Sequence, residues 1–214
     1  MKLAVLFFGK SKCKHYHYWN HTTNVIDYEK SYENYQKYIF DFFKSKGYDI
    51  DVYFSTNILN DIDRKKICET YNPVKCNYIE DITVNTEQDN NLARNTKFDN
   101  VLDLCIQSGI TYDLILITRF DLLFKKDFNQ SNIDLDKFNL VSILERPNLV
   151  CDNFYLFPYN FLEKFSIISK KYLYKRFHDI QSDLYDSFKR ENVNYILNEG
   201  VLVKDLSFYK VYSR

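Results

Sequence analysis

Glycine is scarce, with four in 214 residues. No G-x-G-x-x-G or G-x-x-x-x-G-K stretch occurs, which excludes the glycine-rich phosphate loops of dinucleotide-dependent dehydrogenases and P-loop NTPases. Only three prolines are present and there is no low-complexity linker, so the sequence marks no hinge, and 214 residues suit one domain with a complete core. The five cysteines (Cys13, Cys68, Cys76, Cys105, Cys151) are odd in number and contain no C-x-x-C pair. That pattern argues against a disulfide framework and a structural zinc site, and free thiols are expected. Net charge is missing too: 29 basic residues balance 29 acidic ones. No excess of one sign draws the chain to nucleic acid or to an anionic membrane surface. No run approaches the roughly 18 consecutive apolar residues of a membrane helix, and the opening LAVLFF is shorter than a signal-peptide core.

Aromatics are abundant, with 19 Tyr and 18 Phe, whereas alanine occurs only at Ala4 and Ala93. Such a bias follows from the codons of an AT-rich genome, as in many large DNA viruses. A cytoplasmic location is expected, the host cytoplasm if the chain is viral. KLAVLFF, closed by Gly9, has the continuous apolar pattern of a strand buried on both faces. Helical spacing of Tyr35, Ile39, Phe42 and Phe43 predicts a helix over 27–46, with Gly47 as its stop. DIDVYFST predicts a second strand over 49–56. A strand, helix, strand order of this length calls for a right-handed crossover and a parallel pair, hence an α/β sheet. A short helix over 61–71, a strand over 77–82 and a helix over 89–108 continue it. Strands over 139–144 and 153–157, a helix opened by Pro158, a helix over 178–191 and short strands around Glu199 and Gly200 give a mixed second half.

Between these elements lies DLILITRFDLLF, an apolar run broken by Arg119 and Asp121. Side chains two apart on an extended chain share a face, so the two charges project together while Phe120 points away. In open α/β sheets, ligands bind outside the carboxyl ends of parallel strands, which is where this run ends.

Four segments in order (LAVLFFGK, DVYFSTN, YDLILITRFDLLF and CDNFYLFP) resemble the nucleotide-sugar-dependent glycosyltransferases of the GT-A fold, especially small enzymes of glycan assembly in large viruses and bacteria. The resemblance implies a Rossmann-related single domain over 1–214, mostly parallel in its central sheet and flanked by helices. Its nucleotide-binding half spans about 1–124, and a smaller mixed acceptor and sugar half about 125–214. It implies transfer of a hexose or related sugar from a nucleoside-diphosphate sugar to a glycan or other hydroxyl acceptor, assisted by Mn2+ or Mg2+. Asp121 matches the last aspartate of the family's metal-binding Asp-x-Asp motif, and Arg119 stands where the first would be. Two roles are open to Arg119: a donor fork for phosphate, or a partner for an acid such as Asp121.

The same resemblance places Gly9 against the nucleotide, with Tyr16, Tyr18 or Trp19 stacking on its base. Thr56 and Asn57 fall where base or ribose is contacted, although Asn57 also suits a turn or helix cap. Arg94 and Lys97 match a region facing the nucleotide, or else a solvated helix start. Asp152 is the implied general base, with Glu145 and then Asp179 as alternatives. His178 or Glu199 supplies a late metal ligand. His15, His17 and His21 lack an acidic or cysteine partner at fixed spacing and read as loop histidines. Two other readings stay open: a carbohydrate-binding or scaffold protein that kept the fold without the chemistry, and a sugar-phosphate nucleotidyltransferase, whose glycine-rich activating loop is missing.

Overall fold

The computed structural model describes residues 1–17, 22–144, 149–197 and 207–211, with side chains left out at 14–17, 22–24 and 211. β1 (Lys2–Phe8) leads into a hairpin of β2 (Lys12–His17) and β3 (Thr22–Asp27). Next come α1 (Tyr28–Tyr35), a π-helical segment (Gln36–Phe40) and α2 (Asp41–Ser45) as one continuous helical stretch. β4 (Asp49–Asn57), α3 (Asp61–Tyr71), β5 (Lys75–Ile79), α4 (Glu87–Ile106) and β6 (Leu114–Arg119) follow. The remainder holds β7 (Leu122–Phe124), β8 (Phe138–Leu140), β9 (Phe154–Pro158), α5 (Leu162–Lys170), α6 (Gln181–Phe188), β10 (Val193–Tyr195) and β11 (Tyr209–Val211).

Seven strands form the central sheet in the order β10-β8-β9-β6-β1-β4-β5. Every neighbouring pair is parallel except those made by β9, which runs against β6 and β8. The expected mostly parallel, helix-flanked α/β sheet is therefore present. β1 has to be apolar from Leu3 onward because the sheet is covered on both sides: Leu3, Val5 and Phe7 enter one core, and Ala4, Leu6 and Phe8 the other. The first core lies under α1, α2 and α3 and under the small β7–β11 sheet, and the second under α4, α5 and α6. The aromatic bias goes mainly into these layers, since every phenylalanine except Phe42 and Phe161 is buried.

The helix over 61–71 matches α3, which Asn60 caps by accepting from the Asp63 backbone N–H at 2.9 Å. Thr86 and Asp89 build a capping box at the start of α4, moving that helix two residues earlier than its apolar spacing suggests. The segment after β1, expected as a loop, is instead the β2–β3 hairpin, paired from Lys12↔Asp27 to His17↔Thr22. Its sequence has no clean alternation, because the pair forms a separate two-stranded sheet and is not a layer of the central one. Of the tail, 198–206 lies outside the described residues, so the strands expected around Glu199 and Gly200 are not addressed. All five cysteines are free thiols. Among the described residues, no helix is long and apolar enough to cross a membrane.

One buried charge in the second core has a measurable consequence. Asp99 on α4 accepts from the Ser169 hydroxyl on α5 at 2.6 Å, and burial pushes its carboxyl up from 3.8 to about 6. A folded-state value above the unfolded one means that stability declines as pH rises through this interval, because the ionised form is disfavoured in the fold. A shift of this size corresponds to about 3 kcal/mol. Asp99→Asn keeps the acceptor for Ser169 and removes the ionisation. It is expected to raise Tm by several degrees at pH 8 and to leave it nearly unchanged at pH 4, as read by thermal melts at both values. Equal shifts at the two pH values would show that Asp99 ionisation is not the cause.

Candidate functional site

β6 delivers the charges. Leu114 and Leu116 face the first core, Ile115 and Ile117 the second, so continued alternation puts Phe120 with the former and Arg119 on the side of the latter. Beyond the turn, Asp121 returns to the guanidinium. Arg119 Nε donates to Asp121 Oδ1 at 2.7 Å and Nη2 to Oδ2 at 2.5 Å, a two-bond fork suited to a carboxylate. Asp121 is 2% exposed and Arg119 23%. Burial opposes the Arg119 cation, but the adjacent Asp121 outweighs it and raises the guanidinium further above its ordinary range.

The surroundings hold this fork in place. Tyr35 Oη donates to the Arg119 carbonyl at 2.5 Å and accepts from the Leu122 N–H at 3.0 Å. Ser31 Oγ donates to the Phe120 carbonyl at 2.6 Å. From the other side, Arg119 Nη1 donates to Asn153 Oδ1 at 3.1 Å, while Asn153 Nδ2 donates to Tyr209 Oη at 3.1 Å. Asn153 and Tyr209 were not among the expected site residues. Asn153 had a signal, its place beside Asp152 in CDNF, whereas Tyr209 becomes a neighbour only through the β7–β11 pairing.

A second buried pair stands next to the first. Arg94, on α4, donates from Nη2 to Asp152 Oδ2 at 2.9 Å and to the Asp152 carbonyl at 2.5 Å, and its guanidinium lies over the Phe8 and Phe177 rings. His178 Nδ1 is 2.7 Å from the Val150 carbonyl and 3.6 Å from Asp152 Oδ1. A carbonyl only accepts, so the His178 Nδ1 bears a proton directed at Val150. Burial alone raises the Asp152 carboxyl; Arg94, then His178 and Arg119, reverse this and hold it below the usual carboxylate range. The structure thus brings together five expected residues: Arg94, Arg119, Asp121, Asp152 and His178.

Other expected residues are placed differently. Thr56 and Asn57 end β4 buried, and they hold the turn after β1. Ser11 N–H donates to Thr56 Oγ1 at 3.0 Å and to Asn57 Oδ1 at 3.1 Å, and Asn57 Nδ2 donates to the Lys12 carbonyl at 3.2 Å. Their polar atoms serve the scaffold, and the helix cap is Asn60. Lys97 is also buried, 3.4 Å from Asp81, which Lys10 approaches from the other side at 3.1 Å; burial lowers the Lys97 ammonium. Lys97 and Arg94 therefore serve different carboxylates. Gly9 leaves β1 with φ +96, which side chains rarely adopt, and an added Cβ would meet nothing within 4 Å. The Tyr16 side chain, and Tyr18, Trp19, His21, Glu145 and Glu199 entirely, lie outside the described residues.

A divalent cation fits this arrangement poorly. Hard cations take several oxygen ligands, but among the described residues no group of three or more His, Cys, Asp or Glu is arranged to hold one. Both Asp121 oxygens already face a guanidinium. What the geometry does provide is a pair of preorganised guanidinium groups near the carboxyl ends of the parallel strands, each anchored by its own carboxylate.

No protein-family model and no curated protein matches the chain. Among solved structures, a crystal structure of a glycosyltransferase involved in the glycosylation of the major capsid of PBCV-1 is similar with a TM-score of 0.46 and 8% identity, covering 94% of this chain and 82% of that one.

Proposed function

We propose that the protein is a glycosyltransferase that moves a sugar from a nucleoside-diphosphate sugar to a hydroxyl acceptor. The observation that carries this reading is the convergence of Arg94–Asp152 and Arg119–Asp121 at the carboxyl ends of the parallel strands, where α/β sheets bind their ligands. In the reaction, the bond between the anomeric carbon and the β-phosphate oxygen breaks. A bond to the acceptor oxygen forms, and the acceptor proton passes to a base. Guanidinium groups held in place before the reaction stabilise the diphosphate as it gains charge. Asp152 is held ionised, which suits it to face the positive charge developing on the sugar. A depressed carboxyl is a weak general base.

A second reading, a sugar-binding protein of the same fold without transfer chemistry, is favoured by the engagement of both Asp121 oxygens with Arg119. Thermal melts against a panel of uridine, guanosine, cytidine, adenosine and thymidine diphosphate sugars separate the two. A ligand at about 100 times its Kd adds about 2.7 kcal/mol, so at least one donor is expected to raise Tm by several degrees and to release nucleoside diphosphate over time. Binding of free sugars with no response to any nucleotide sugar would support the second reading and overturn the first.

A further inference from the structure

We propose that Arg119 occupies the place of a divalent cation at this site: it holds the donor diphosphate directly, and Asp121 is the positioning residue that aims it. This rests on the nucleotide-sugar reading above and specifies how that site takes its phosphate groups. Three of the guanidinium's five N–H groups are engaged, two on Asp121 and one on Asn153. Among the described residues, one N–H on each terminal nitrogen has no partner and is open to a ligand, and the side chain keeps 23% of its surface exposed. Asp121, in contrast, is 2% exposed and gives both oxygens to the fork.

The remaining contacts fix the direction in which the free N–H groups point. Asn153 is held by Tyr209, and the backbone on either side of Phe120 is held by Tyr35 and Ser31. A flexible or fully exposed arginine could swing away to admit an ion at Asp121, whereas this one is tied at the head and along the backbone. Arg94 lies on the same side, against Asp152, and Arg119 acts electrostatically on that carboxylate. The planar fork of Arg119 suits the oxygens of a diphosphate, while Arg94 is committed to Asp152 and Asn95.

The test is equilibrium binding of UDP, GDP, CDP, ADP and TDP to the full chain by calorimetry, once in EDTA and once with Mn2+. At least one nucleoside diphosphate is expected to bind in EDTA with a Kd within twofold of its value in Mn2+. Arg119→Lys, which keeps the charge and loses the fork, is expected to weaken that binding tenfold or more in both buffers. Asp121→Asn is expected to weaken it severalfold, by the same factor with and without metal. Binding that appears only with Mn2+, or that tightens tenfold with it, overturns the proposal and leaves the glycosyltransferase reading standing. Failure of every probe in both buffers overturns the reading and the proposal together. Because the buffer comparison uses the native chain, poor folding of a variant does not remove the test.

Discussion

Arg94→Met is expected to lower folding stability by about 3 kcal/mol near neutral pH, with most of that loss gone below about pH 4. The methionine keeps an apolar stem against Phe8 and Phe177 and removes the cation that lies over both rings. What it exposes is the Asp152 carboxylate, whose burial is offset first by Arg94 and then by His178 and Arg119. In the native chain that carboxyl is depressed below 3.8, so its contribution is present above the unfolded value and lost as pH falls through the folded one. Without Arg94, burial dominates and the folded value rises above the unfolded one. The variant then regains stability on acidification while the native chain does not. Urea melts at pH 7 and pH 4 read the difference directly. A gap of the same size at both values would mean that Arg94 acts through packing on the two rings, and the electrostatic account of this pair would be wrong.

Much of this architecture was legible because burial on both faces leaves an unmistakable pattern. KLAVLFF and DLILIT had to be central strands, since Leu3 to Phe8 and Leu114 to Ile117 alternate between the two cores. Arg119 and Asp121 were legible as a pair of charges breaking an apolar run, and they are found in direct contact, although the chain turns at Phe120 and Asp121 and does not continue extended as their spacing of two suggested. Contacts set by distant pairing were not legible. KCKHYH and TTNVID carry no core-facing alternation, yet they form a hairpin. Tyr209 reaches Asn153 only because β11 pairs with β7. Thr56 and Asn57 illustrate a different limit. A polar pair at a strand end is equally suited to a ligand and to a neighbouring turn, and only the position of Ser11 decides for the turn. The same ambiguity hung over Arg119, where the sequence left phosphate and carboxylate as rival partners. The carboxylate is the partner observed: it takes one edge of the fork.

Phe120→Ala is expected to be the most damaging single change near the site, at about 3–5 kcal/mol. Phe120 is fully buried, stacks on Phe7 with ring centroids 5.2 Å apart, and meets Tyr71 edge-on at 5.6 Å and Phe54 at 5.9 Å. Truncation removes these aromatic contacts and leaves a cavity between β1 and the α1–α3 layer, which a close-packed core fills only in part. Function enters because Phe120 lies between the two charged residues. Its ring anchors the segment in the first core, and its carbonyl accepts from Ser31 on α1, which covers that core. With the ring gone, the Arg119–Asp121 fork loses its fixed direction. Nucleoside diphosphate binding should therefore weaken at least tenfold even at temperatures where the variant remains folded. Phe120→Leu fills most of the space and is expected to show a smaller loss in both measurements, in the same order. Urea denaturation gives the first quantity and calorimetry on the folded variant the second. If Phe120→Ala loses its full share of stability yet binds with the native Kd, the core is not what aims the fork. The tethers from Tyr35, Ser31 and Asn153 are then sufficient on their own.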